Sequence, residues 1–167
     1  PVFDGPEDRN GRRNHDEIRF WADYVTPNKN KYIYDDKHRK GGLATNQRFI
    51  VAGDMNVAAA DGDRTFGAID QLLLHERVQA SHIPTSLGGQ ETSELDGGVN
   101  KKQRGDSLHD TSDFSDRSVG NLRLDYVLPS RSLNTIAARV YWPMSDEEGH
   151  KLIGASDHRL TWIDIEL

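Results

Sequence analysis

Apolar positions recur along the chain with two periods. Ile18, Trp21, Ala22 and Val25 fall at helical spacing. Asn14 ahead of them is a good N-cap, Asp16 and Glu17 suit the positive end of a helix dipole, and Pro27 stops the run. The spacing predicts an amphipathic helix that needs a sheet or another helix to cover. Phe49-Ile50-Val51-Ala52, ended by Gly53, is continuously apolar, which predicts a strand buried on both faces. Phe66, Ile69, Leu72, Leu73 and Val78 return to helical spacing and predict a second helix over 65–78.

The last third of the chain alternates. Over 122–128, Leu122, Leu124, Tyr126 and Leu128 share one side, Arg123, Asp125 and Val127 the other, and Pro129 closes the run. Residues 135–142 and 159–167 predict two more strands; Thr161, Ile163, Ile165 and Leu167 share a side of the last, while its other side carries Leu160 and Trp162 before turning polar at Asp164 and Glu166. Stretches 28–47 and 88–120 lack a period and read as long loops. The sum is an α/β arrangement: a helix, a strand, a helix and three strands. The late strands are expected as neighbours in a mixed sheet with helices on one face. The other face would stay partly apolar and open, as though a second layer were missing.

With 167 residues, the chain has the size of one domain over 1–167. Its hydrophobic share of 35% is low for a globular domain, and the deficit lies in the two expected loops. No apolar run approaches the roughly 18 residues that would span a bilayer, so no membrane span is expected. A net charge of −6 argues mildly against a grip on duplex DNA, which takes a basic face. Lys29, Lys31, Lys37, Arg39 and Lys40 cluster, but Asp35 and Asp36 sit among them, and the cluster reads as a solvated loop. The absence of cysteine excludes disulfides and thiolate metal sites and leaves the compartment open. The start at Pro1, without an initiator Met, suggests the middle of a longer protein.

Three short motifs carry candidate chemistry. In Gly53-Asp54-Met55-Asn56, a carboxylate and an amide two residues apart sit where α/β proteins bind ligands, at a strand's carboxyl end. Asp54 could hold a cation or take a proton from water, and Asn56 could donate to a phosphoryl oxygen. The plainer reading is an Asx-turn. In Ser156-Asp157-His158, the imidazole could act as a general base or as a donor to a pentacovalent phosphate, or the tripeptide could be a surface turn. Asp125 is a carboxylate in mid-strand, costly to bury unless paired, and Arg123 is its simplest partner. Other positions carry less. His15, His38, His75, His82, His109 and His150 show no metal-ligand spacing, Asp61-Gly62-Asp63 reads as a turn, and Arg12, Arg13 and Arg19 read as surface cations.

Taken in order, these motifs resemble the C-terminal half of the endonuclease/exonuclease/phosphatase superfamily, which includes pancreatic deoxyribonuclease, apurinic endonucleases, inositol polyphosphate phosphatases and sphingomyelinases. The resemblance covers nearly the whole chain, and Phe3-Asp4-Gly5-Pro6-Glu7-Asp8-Arg9-Asn10-Gly11 resembles a segment of a bacterial subgroup. It implies the second half of a four-layer α/β sandwich and a metal-dependent hydrolysis of phosphate mono- or diesters by an activated water. Asp54 would orient the water, Asn56 would contact the phosphate, and His158 would be the catalytic histidine. Asp125 would orient His158 from roughly 2.6–3.2 Å, and Asp157 would lie beside Mg2+ or Mn2+. All five side chains are expected to converge at one end of the sheet. The first half of the family's domain, with an Asn and the main magnesium-binding Glu, has no counterpart here. The chain alone is therefore expected to be inactive, to hold magnesium weakly, and to pair with its own N-terminal half or self-associate. A non-catalytic binding module and a nuclease acting on nucleic acid are the alternatives. A degenerate binder would be expected to lose Asp54, Asn56, Asp125 or His158, and all four are present.

Overall fold

The computed structural model describes residues 5–62 and 67–166. Helix α1 runs Arg9–Tyr24, six residues earlier than the expected start. Asp8, at φ 50°, caps it by accepting a hydrogen bond from the Gly11 amide. Asn14, expected as the cap, is buried inside the helix instead. Its Nδ2 donates to the Met55 carbonyl at 2.8 Å, which ties α1 to the loop after the first strand. The segment Phe3–Gly11 is described only from Gly5 onward; Phe3 and Asp4 lie outside the described residues.

Strand β1 (Ile50–Asp54) pairs antiparallel with β4 (Asp125–Pro129), in a register that places Val51 opposite Leu128 and Asp54 opposite Asp125. Ile18 of α1 and Val25 at its C-terminal cap pack with Val51, Met55, Val57, Ile69, Leu72, Val78, Tyr126 and Leu128 into the main core. β1 is buried on one face only: Val51 is covered and Ile50 is 44% exposed. The continuous apolar run therefore overstated its burial. Ile136 and Leu160 are exposed as well.

The second helix is shorter than expected. α2 covers Asp70–Leu73; Thr65 and Phe66 lie outside the described residues. After α2 the chain turns, and Val78 bridges Ser130 while the Gln79 amide donates to the Pro129 carbonyl. Pairing with the end of β4 takes over from the helix.

The stretch 88–120 is not one long loop. α3 (Leu87–Asp96) opens on Ser86, whose Oγ accepts from the Gly89 amide. Gly88 and Gly89 hid this helix from a propensity reading. Gly88 is there for contact: a Cβ at that position would lie 2.2 Å from the Trp142 carbonyl oxygen. Beyond α3, β2 (Ser112–Asp113) pairs with β3 (Asn121–Leu122). The strand expected over 122–128 is thus divided, with Leu122 in β3 and Asp125 opening β4. β5 (Asn134–Val140) pairs with β6 (Thr161–Glu166); Leu167 lies outside the described residues. Among the described residues there is no single mixed sheet but three antiparallel pairs, with one isolated parallel bridge, Thr85 to Arg139. The architecture is α/β with small antiparallel sheets.

The stretch 28–47 is largely irregular, with one 3-10 turn at Asn30–Tyr32. Its basic side chains are exposed, and Arg39 pairs with Asp35 at 2.6 Å. No helix among the described residues is long and apolar enough to cross a membrane.

Candidate active site

The β1–β4 ladder ends with Asp54 opposite Asp125, which puts two carboxylates at one edge. Gly53 just before it has φ 144°, a conformation that side chains disfavour. The next turn is held locally. The Asn56 amide donates to Asp54 Oδ1 at 2.6 Å, and Asn56 takes φ 49°, which Asn tolerates better than most residues. Asx-turn geometry is therefore present. It occupies one carboxylate oxygen of Asp54 and leaves the other free for chemistry. Met55 between them is buried, its amide donating to the Leu124 carbonyl. Asp54 and Asn56 are exposed and line a pocket of about 360 Å³ with Asn10, Arg13, Asn14 and Glu17 of α1.

Asp125 is held differently. His158 Nδ1 donates to Asp125 Oδ2 at 2.8 Å, within the expected range. Thr111 Oγ1 donates to the same oxygen at 2.9 Å. Arg123 does not pair with Asp125; its guanidinium lies 4.4 Å from the centre of the Tyr126 ring. Tyr126 is fully buried, donates to the Val57 carbonyl, and has its hydroxyl pKa pushed up to about 12 by burial, so it is a structural member of the strand. The Phe114 ring meets His158 edge-on at 5.8 Å.

His158 is placed by the strand that follows it. Its amide donates to Ser156 Oγ, and main-chain bonds join 157–159 to 111–113: Asp113 N to Asp157 O and Arg159 N to Thr111 O, both at 2.8 Å. Burial pulls the imidazole pKa down, but the hydrogen bond and charge of Asp125, with Asp54 and Asp157 adding, outweigh it, and the net shift is upward. With Nδ1 given to Asp125, Nε2 is the nitrogen left for a ligand.

One oxygen each from Asp54 and Asp125 and one nitrogen of His158 lie within 4.8 Å of one another, and no other such trio occurs among the described residues. Asn56 lines the neighbouring pocket with Asp54. Asp157 is exposed and outside the cluster, although its charge reaches His158. Convergence is thus complete for three of the five expected side chains. The two carboxylates suit a hard divalent ion such as Mg2+ or Mn2+, which prefers oxygen, whereas an imidazole does not. That division leaves His158 free to handle a proton.

The remaining candidates fall elsewhere. His75 Nε2 meets Thr26 Oγ1 at 2.7 Å, and burial lowers its pKa. Asp61 accepts from the Arg104 and Gly105 amides, as a turn residue would; Asp63 lies outside the described residues. Arg13 and Arg19 pair with Glu17 and Asp16 on α1. Thr111 was missed by sequence reasoning because it sits in a polar tract without a period. It is 1% exposed, buried by hydrogen bonding rather than by hydrophobicity.

No curated protein and no solved structure matches the chain. The model of the Endonuclease/Exonuclease/phosphatase family matches residues 2–158, a span that ends on His158 and holds every candidate residue, and the chain belongs to that family.

Proposed function

We propose that the protein is a metal-dependent phosphoesterase that hydrolyses a phosphate mono- or diester with an activated water. The observation that carries this reading is the 2.8 Å bond from His158 Nδ1 to Asp125, in a cluster that also takes in Asp54. Asp125 holds the imidazole in one tautomer and orientation, the role of the carboxylate in a Ser-His-Asp triad. Asp125 shifts the His158 pKa upward, which favours the protonated ring, and in that form Nε2–H donates to the phosphoryl oxygen on which charge builds. Asp54 orients the water and takes its proton. Asn56, at the pocket rim, donates its amide to the phosphate. Asp157, outside the cluster, acts through its charge on His158. Asp125 would hold Mg2+ or Mn2+ through its remaining oxygen, with waters and substrate phosphate completing the set, and Asp54 would reach the ion through the water it orients. When bound, the ion polarises the phosphoryl group as a Lewis acid.

The test is hydrolysis of bis(p-nitrophenyl) phosphate and p-nitrophenyl phosphate by the full-length protein in Mg2+ or Mn2+. Turnover that chelation abolishes and metal restores is the expected result. Tight binding of phosphate esters with no turnover in either metal would favour the non-catalytic reading.

A further inference from the structure

We infer that Thr111 is the positioning residue of this site, a single clamp that holds both members of the Asp125–His158 pair. Its side chain reaches one strand and its main chain the other. Thr111 Oγ1 accepts from the Leu124 amide at 3.0 Å and from the Asp125 amide at 2.9 Å, and donates to Asp125 Oδ2 at 2.9 Å. Its carbonyl accepts from Arg159 N at 2.8 Å, next to His158, and its own amide donates to the Leu122 carbonyl at 2.9 Å. Ser112 bridges His158 directly.

The direction of the hydroxyl bond follows from counting. A hydroxyl has two lone pairs and one proton. Two backbone amides occupy the lone pairs, so the proton has one place to go, the Asp125 carboxylate. Asp125 Oδ2 then takes two donors, Thr111 and His158. Together the two donors fix which oxygen faces the ring. At 1% exposure, no water competes for Thr111. Its methyl group alone could be replaced by another apolar group of the same shape. The hydroxyl could not, because three polar partners would be left without it.

The test reads the pair itself. A downfield Nδ1–H proton resonance, assigned by its loss in His158→Gln, reports the His158–Asp125 bond. It should persist in Thr111→Ser and be lost or move upfield in Thr111→Val at a temperature where circular dichroism shows the fold intact. Thr111→Val with the resonance undisturbed would overturn the inference. Should Thr111→Val fail to fold, the wild type decides alone. A slowly exchanging Thr111 hydroxyl proton with a cross-peak to His158 Nδ1–H is expected, and a hydroxyl in fast exchange with water would refute it. The kinetic arm rests on the phosphoesterase reading. There kcat should fall about tenfold in Thr111→Val with KM within twofold, and Thr111→Ser should restore it. Equal loss in Ser and Val would overturn the clamp. A wild type without phosphoesterase activity would overturn the functional reading and leave the resonance test standing.

Discussion

The two sides of the site are built in opposite ways. Asp54 and Asn56 are exposed and held by a turn of their own making, with one short bond between them. Asp125 and His158 are partly buried and held from behind by residues far away in sequence: Thr111 on the carboxylate, segment 111–113 on the main chain, and Phe114 on the ring. A self-contained turn can adjust to a phosphate and a metal ion as they arrive. A buttressed pair keeps its geometry before anything binds, and that is what a donor aimed at developing charge needs. On the proposed function, the first side adapts to water and phosphate, and the second presents a donor that is already oriented.

The largest effect should come from the buttressed side. His158→Ala in the full-length protein should lower kcat about 10³-fold or more with KM little changed, since the group acts mainly in the transition state. Steady-state kinetics on a phosphodiester check this. A variant within a few-fold of wild type would remove His158 from the chemistry.

The support behind that side carries a cost in stability. Asp110, next to Thr111, has a buried Oδ2 without a hydrogen-bond partner, and burial, with Asp61 and Asp106 adding, raises its pKa to about 7. The folded state thus keeps a proton that the unfolded state releases near the ordinary carboxylate value. Stability should fall as pH rises from about 4 to about 7 and level off above. At about 1.4 kcal/mol per unit the upper limit is roughly 4 kcal/mol. Asp110→Asn should flatten this dependence in urea titrations across that range. An unchanged slope would show that Asp110 is not its source.

Asp125→Asn should come next, with a loss of about 10² in kcat, because the amide presents the wrong group to His158 Nδ1. The smallest effect belongs to the self-contained side. Asn56→Ala puts an ordinary side chain at φ 49° and should cost about 1 kcal/mol of stability. Asn56→Gly should recover that stability but not the activity. Recovery of both would reduce Asn56 to a turn residue.

Most of the site was legible in the sequence, because its residues sit in short motifs at strand ends. Gly53-Asp54-Met55-Asn56 and Ser156-Asp157-His158 announce themselves locally, and the alternation around Asp125 placed it opposite the apolar side that Tyr126 and Leu128 bury. Local pattern misled where contact decided the structure. Gly88 looks like a loop residue, yet it lies in α3, where the Trp142 carbonyl leaves no room for a Cβ. Phe49-Ile50-Val51-Ala52 looks doubly buried, yet Ile50 is exposed among the described residues. Asn14 looks like a helix cap and instead reaches across to Met55. Thr111 is the clearest case: its importance lies in bonds to residues 13, 14 and 48 positions away, which no local period encodes.

In the proposed reaction His158, oriented by Asp125, works as a donor in its protonated form. The pH dependence of kcat, measured side by side for wild type and Asp125→Asn, tests it most directly. Asp125 raises the His158 pKa, so the wild-type rate should be high below that raised value and fall as pH climbs through it. In Asp125→Asn the falling limb should move to lower pH, because the hydrogen bond and charge that raised the pKa are gone. A falling limb at the same pH in both proteins, or a wild-type rate that rises through this range, would contradict the account.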